Sequence, residues 1–338
     1  MKRIIIGTVC LCWLILGVNT SSFALSKVGT AGMKFLKIGM GARATGMADS
    51  YTAIADDINS VFWNPAGLYN ITNTAVTVSY LKWIADIDLY AGAFAFGLGD
   101  FGTLGFSVTL LQTDAIRETT VDQLQKYPFL PDGNVNLGYT GNTVDYVDWA
   151  FGIIYARQVT DKFAFGVKAN IAHEGVGTTL AAEGRSVTTV LGDIGVQYLT
   201  GFKGMRFGGV IQNFGPDVKY YQKEFSMPMV FKIGLSMDII SEIGLFNSFG
   251  SDHKLTLVMD ALHPNDFAEK INIGAEYTLM NMIALRGGYK FNTDEESFAL
   301  GAGFVGNFAT SKMFLDVSYG NFGTYFDAPV RFTIGAEF

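Results

Sequence analysis

Beyond its first 24 residues the chain holds no apolar run long enough to cross a bilayer as a helix, which needs roughly 18 to 20 residues, yet 49% of its residues are hydrophobic and mean hydropathy is +0.26. The apolarity is spread with period two. In the last segment Val330, Phe332, Ile334, Ala336 and Phe338 alternate with Arg331, Thr333, Gly335 and Glu337. Phe231, Ile233, Leu235, Met237 and Ile239 alternate likewise with Lys232, Gly234, Ser236 and Asp238, and Ile271, Ile273, Ala275, Tyr277 and Leu279 with Asn272, Gly274, Glu276 and Thr278. Successive side chains of a strand point to opposite faces, so each segment has one apolar and one polar face.

The first residues explain where such strands belong. Lys2 and Arg3 precede an apolar run from Ile4 to Val18, and Ser22-Phe23-Ala24 forms a small-x-small exit. That is the plan of a secretory signal, with cleavage expected after Ala24. Both cysteines, Cys10 and Cys12, lie inside it, so the mature chain is expected to have no disulfide, thiolate nucleophile or cysteine metal site. An exported chain of about ten-residue amphipathic segments reads as an all-β transmembrane barrel of the bacterial outer membrane. In hydrocarbon each unpaired backbone group costs several kcal/mol, so the sheet must close on itself.

About fourteen alternating segments begin near residues 74, 86, 103, 146, 163, 187, 205, 229, 254, 270, 282, 297, 312 and 329. The number is even, as single-chain bacterial barrels require. Gly99-Asp100-Phe101-Gly102, Thr160-Asp161-Lys162 and Gly201-Phe202-Lys203-Gly204 are turn signals placed for the periplasmic side, whereas the longer polar stretches 119–145 and 216–228 are expected outside. The expected divisions are a signal peptide over 1–24, an N-terminal hatch over 25–72 and the barrel over 73–338. The hatch does not alternate. It is rich in Gly and Ala, with a short helix expected through Tyr51 to Ala55, and carries Arg43, Asp56, Asp57 and the run Asn64-Pro65-Ala66-Gly67. Small side chains suit a segment folded back into a lumen. Pro65 confines Asn64 to extended backbone and leaves its amide to bond neighbouring chain, a candidate anchor.

Inward charges of both signs, namely Lys168, Asp193, Lys232, Asp238, Asp260, Glu276, Arg286, Lys290, Asp316 and Arg331, are expected to form mainly an internal ion-pair network, with Arg43 joining one of the carboxylates. On the lipid face an Arg or Lys at midplane would cost roughly 2 to 4 kcal/mol. The formal charge of −7 argues against a nucleic-acid partner. Gly301-Ala302-Gly303-Phe304-Val305-Gly306 has dinucleotide-loop spacing but strand pattern on both sides, so lumen-facing glycines explain it better. His173, His253 and His263 lack metal-ligand spacing, and no catalytic signature is present. The expectation is a non-enzymatic protein without cofactor or metal.

Residues 29–32 (Gly-Thr-Ala-Gly), Phe35-Leu36-Lys37-Ile38-Gly39, Gly41-Ala42-Arg43-Ala44-Thr45-Gly46-Met47, Ala55-Asp56-Asp57 and, above all, Trp63-Asn64-Pro65-Ala66-Gly67-Leu68 resemble the PorV/PorQ family, a branch of the FadL-like outer-membrane barrels. Ile211-Gln212-Asn213-Phe214-Gly215 and Leu285-Arg286-Gly287-Gly288-Tyr289-Lys290-Phe291 agree more weakly. The resemblance implies a fourteen-stranded barrel around a hatch that contains the Asn-Pro-Ala segment. It implies first a component of type IX-like protein export, handling secreted cargo proteins and a surface attachment complex. The second implied activity is a FadL-like channel for long-chain fatty acids or other hydrophobic small molecules. Outer-membrane lipid and the barrel-insertion machinery are expected partners, the latter reading Phe332, Ile334, Ala336 and Phe338 at the terminal strand. The outer stretches are short, the longest being 119–145, and no cargo or ligand residue carries over.

Overall fold

In the computed structural model the alternating segments become strands that all run antiparallel to their neighbours. The structure describes residues 30–113, 116–122, 138–177, 186–220, 222–247, 250–324 and 326–338. The expected signal peptide, and most of the stretch 119–145, lie outside the described residues.

In chain order the strands are β1 (Thr74–Lys82), β2 (Ile87–Gly97), β3 (Thr103–Thr113), β4 (Ile116–Thr119), β5 (Tyr139–Thr160), β6 (Phe163–Gly177), β7 (Ser186–Leu199), β8 (Arg206–Phe214), β9 (Val218–Tyr220), β10 (Lys223–Phe225), β11 (Val230–Ile240), β12 (His253–Pro264), β13 (Lys270–Leu279), β14 (Ile283–Phe291), β15 (Glu296–Phe308), β16 (Ser311–Phe322) and β17 (Val330–Glu337). Among the described residues, fourteen of these form a closed ring. β1 pairs with β17 through Ala75↔Glu337 to Lys82↔Val330, and β3 pairs with β5 through Thr103↔Ala156 to Gln112↔Val147. β4 only extends β5 into a hairpin, and β9 pairs with β10 alone.

The alternation has the expected sense. Along β7, Leu191, Asp193, Gly195 and Gln197 are buried, while Val190, Ile194, Val196 and Tyr198 are exposed on the outer wall. An exposed apolar wall around a polar interior is the inverse of a soluble barrel and suits a lipid solvent. No helix among the described residues is long and apolar enough to cross a membrane. Both ends of the β1-to-β17 ring and the tight turns lie at one rim, called here the turn rim. Gly102 (φ +102°) and Gly201 (φ +79°) occupy left-handed backbone in those turns, where a Cβ would be strained. The opposite rim, the loop rim, carries the connections 214–230, 264–270 and 291–296.

Three expectations need correction. β5 begins at Tyr139 rather than near 146, because Tyr139 to Thr143 pair with β4 instead of forming open loop. The stretch 216–228 is not simply loop: Lys223↔Tyr220 and Phe225↔Val218 make it a hairpin, fixed by the edge-on contact of Tyr220 and Phe225, whose ring centroids are 5.6 Å apart. The helix expected through Tyr51 to Ala55 is instead a run of turns; the short helices lie at Ala42–Thr45 and Ser60–Trp63. The reason is local. Asp260 of β12 accepts the backbone N–H groups of Tyr51 (3.0 Å) and Thr52 (2.9 Å), turning those donors toward the wall.

Candidate functional site

The described hatch, residues 30–72, packs inside the ring and is buried through most of its length. It contains little regular structure, so its backbone polar groups need other partners. The wall supplies many of them. Thr333 Oγ1 accepts from Ala42 N (2.8 Å), while Arg331 Nε donates to Gly39 O (3.0 Å), Gln197 Nε2 to Ala55 O (2.8 Å), Lys168 Nζ to Val61 O (2.9 Å) and Gln212 Nε2 to Phe62 O (3.0 Å). The inward polar face therefore acts mostly as the hatch's hydrogen-bonding complement.

Asn64 is extended (φ −146°, ψ 104°), and Pro65 opens the 3₁₀ turn Pro65–Asn70. The Asn64 amide donates to Thr52 O within the hatch (2.9 Å) and to Val196 O of β7 (3.1 Å), while its Oδ1 accepts from Ala66 N (3.1 Å). One side chain thus holds a hatch turn, the wall and its own helix start together. Glycines let the hatch approach this closely: a Cβ on Gly166 would meet the Pro65 carbonyl carbon at 2.3 Å, and one on Gly67 the Ala55 carbonyl oxygen. Ala66 is fully buried among them. Gly301 abuts Gly46 and Gly303 abuts Asp316 and Arg286, as expected of glycines facing the lumen, but Gly306 does not face the lumen: it lies on the outer wall between the exposed rings of Phe304 and Phe308.

Arg43 joins three carboxylates. Its Nη1 contacts Asp56 (2.7 Å) and Asp57 (3.0 Å), and its Nε and Nη2 form a fork on Glu276 of β13, each at 2.9 Å. Glu276 also receives Arg286 Nε of β14 (2.7 Å), whose Nη1 reaches Asp316 of β16 (2.5 Å). On the other side Asp56 receives Arg206 of β8 (3.2 Å). The chain Asp316–Arg286–Glu276–Arg43–Asp56–Arg206 therefore ties two parts of the ring together through the hatch. Burial pushes the Asp56 carboxyl up, but Arg43 and Arg206 outweigh it and hold the group below its ordinary range. In Asp49, too, burial acts upward and is outweighed, mainly by Lys290 Nζ at 2.5 Å, which also binds Glu296.

Between the hatch and the loop rim lies a cavity of about 400 Å³. Its floor includes Phe62, Trp63 and Asp49; its sides include Trp83, Phe267 and Phe322, with Lys232, Lys270 and Asn272 among the strand residues. Trp63 is fixed by its indole N–H to Met40 O (2.7 Å), and Trp83 meets Phe322 edge-on at 5.1 Å. A strap from Ala31 to Ile38 borders the cavity. Gly32 N donates to Ser226 O (3.0 Å), and Lys37 and Lys34 bind Asp266 in the β12–β13 connection at 2.6 and 3.4 Å.

The remaining sequence candidates fall elsewhere. Phe332, Ile334 and Phe338 project from the outer wall, each about half exposed. Ala336 shares their face but is buried, its short side chain lying between the register partners Val76 and Met313. His173 stacks on Trp149, His253 meets the Tyr277 hydroxyl (2.6 Å), and His263 pairs with Glu269 (3.1 Å), an acidic neighbour the sequence spacing did not suggest. Asp49, Trp63 and Asp266 were missed as site residues; only Trp63, adjoining Asn64-Pro65, carried a local signal.

The closed fourteen-stranded antiparallel ring around an internal hatch is the fold of an outer-membrane β-barrel. The similar solved structures agree. The toluene transporter TodX of Pseudomonas putida matches with a TM-score of 0.60 at 13% identity, over 88% of this chain and 97% of that one. The toluene transporter TbuX of Ralstonia pickettii matches with a TM-score of 0.57, and the monoaromatic hydrocarbon channel CymD with 0.55, at the same identity and coverage. No protein-family model and no curated protein matches the sequence.

Proposed function

We propose that the chain is a non-enzymatic outer-membrane channel for small hydrophobic compounds, with the loop rim outside and the hatch controlling passage. The observation that carries this reading is the cavity above the hatch, a ligand-sized space walled by Trp63, Trp83, Phe62, Phe267 and Phe322. Apolar walls with a few polar groups are the ordinary make-up of small-molecule sites. The similar structures, two toluene transporters and a monoaromatic hydrocarbon channel, point the same way. Of the two activities implied by the sequence resemblance, this is therefore preferred over protein export. The test is uptake of labelled toluene by cells that lack other such channels. Expression of this chain should raise uptake, and filling the cavity with Asn272→Trp should reduce it with the barrel still inserted. Uptake equal to that of cells without the chain, alongside altered surface delivery of a cargo protein, would favour export instead.

A further inference from the structure

The cavity is lined by four lysines, Lys37, Lys232, Lys270 and Lys290, and by four carboxylates, Asp49, Asp294, Glu295 and Glu296, but Lys232 and Lys270 are not engaged by any of them. Lys232 and Lys270 occupy one register row, Lys232↔Leu262 across β11 and β12 and Leu262↔Lys270 across β12 and β13. At roughly 4.8 Å per strand their stems stand about 10 Å apart on the inward face. Lys232 is only 8% exposed. Among the described residues neither ammonium has a carboxylate within ion-pair distance: Lys232 Nζ lies over the Trp63 ring at 4.9 Å and Lys270 Nζ over the Phe267 ring at 4.4 Å. The other cavity cations are committed, Lys37 to Asp266 and Lys290 to Asp49 and Glu296. Asp294 and Glu295 also border the space but are exposed, where water screens them.

A third group points to a ligand. Asn272, 2% exposed and two residues along β13 from Lys270, lines the cavity, and its Oδ1 has no hydrogen-bond partner. Which amide atom occupies that position is an assignment, so the side chain can present either its N–H₂ or its carbonyl to a bound molecule. Buried polar atoms without partners are rare in native folds and mark places where a ligand or water binds.

We infer that the cavity binds an aromatic carboxylate, its ring against Trp83, Phe322 and Phe62 and its carboxylate between Lys232, Lys270 and Asn272. Aromatic walls favour a planar body over an alkyl chain, and charge-assisted hydrogen bonds from ammonium to carboxylate are the stronger kind in a partly dry site. The inference rests on the channel reading and narrows its substrate from any hydrophobic compound to an organic acid.

The experiment is isothermal titration calorimetry on the intact barrel in non-ionic micelles, with hydrocinnamate, its neutral amide, decanoate and toluene as probes. Hydrocinnamate should bind at least tenfold more tightly than its amide and more tightly than decanoate. Lys270→Met, a change at the rim end of β13, should remove most of that charge preference, and Lys270→Arg should keep it. Lys232→Gln should do the same as Lys270→Met, with heat-modifiable migration confirming that the barrel is formed. Toluene or the amide binding as well as hydrocinnamate overturns the inference and leaves the channel reading standing. Tighter binding of decanoate overturns the aromatic assignment, and retention of the full charge preference by Lys270→Met and Lys232→Gln overturns the lysine assignment. Binding of no probe overturns both the inference and the channel reading.

Discussion

Gly195 of β7 lies so close to Asn64 of the hatch that a Cβ on the glycine would meet the Asn64 Oδ1 at 2.0 Å. Asn64 is fully buried and bonded to Thr52, Val196 and Ala66, so it has nowhere to retreat. Gly195→Ala should therefore destabilise hatch docking by the about 1 to 3 kcal/mol typical of an overpacked core. Replacing Asn64 and Pro65 together by Ala should loosen the hatch from the other side. In both variants the barrel should still insert, and single-channel conductance in planar bilayers should rise above the parent's. Parent-level conductance in correctly inserted protein would show that the Asn64 contact does not hold the hatch.

The Arg43–Glu276–Arg286 network makes a second prediction. Glu276 serves two guanidinium groups, and removing one member of a buried ion cluster commonly costs about 3 to 5 kcal/mol because the remaining charges lose their compensation. Glu276→Gln should lower the temperature at which the barrel loses its heat-resistant form on gels. Replacing Arg43 and Glu276 together by Met should cost less than the two single replacements summed, the sign of direct coupling. An unchanged transition temperature in Glu276→Gln, or strict additivity in the pair, would remove the network from the forces that hold the hatch.

These contacts show what the sequence carried and what it could not. Period two placed thirteen of the fourteen ring strands to within a residue or so, because Val190, Ile194 and Val196 must face lipid while Asp193 and Gln197 must not. β5 escaped because Thr140, Asn142 and Thr143 resemble loop, and above the bilayer a strand has no apolar face to announce it. Asn64-Pro65 stood out through backbone restriction, which is local. The partners of Arg43 did not, since Glu276 lies 233 positions away, and nothing in the chain near Asp49 signals Lys290. The cavity was illegible for the same reason: its walls come from the hatch, seven different strands and three rim connections.

The strap offers a pH test. Burial raises the Asp266 carboxyl, but the Lys37 hydrogen bond and charge, with Lys34 beside it, hold it below its ordinary range. A carboxylate depressed in the folded state stabilises that state above its unfolded value, near about 3.9, and the contribution disappears as pH falls through the folded value. Protection of amides 31–38, measured by hydrogen exchange corrected for intrinsic rate, should therefore be flat from pH 8 to about pH 4 and fall only below it. Asp266→Asn should show the low protection at every pH. A midpoint near neutrality would assign the strap's attachment to a different group.

Phe338 combines a seam hydrogen bond and an exposed ring in one residue. Its backbone N–H donates to Thr74 O at 2.8 Å across the β1–β17 seam, while its ring projects outward beside Phe332 and Ile334 on the face the insertion machinery is expected to read. Deletion removes both, and Phe338→Ala removes only the ring. If the aromatic ring is the assembly signal, the deletion and Phe338→Ala should both lower the amount of heat-resistant barrel in outer-membrane fractions, and Phe338→Tyr should restore it. If the seam bond matters instead, Phe338→Ala should insert normally and only the deletion should fail. The first pattern is expected, because the seam retains its other backbone pairs from Ala75↔Glu337 to Lys82↔Val330 without Phe338. Normal heat-resistant barrel from the deletion itself would end the assembly-signal reading of this residue.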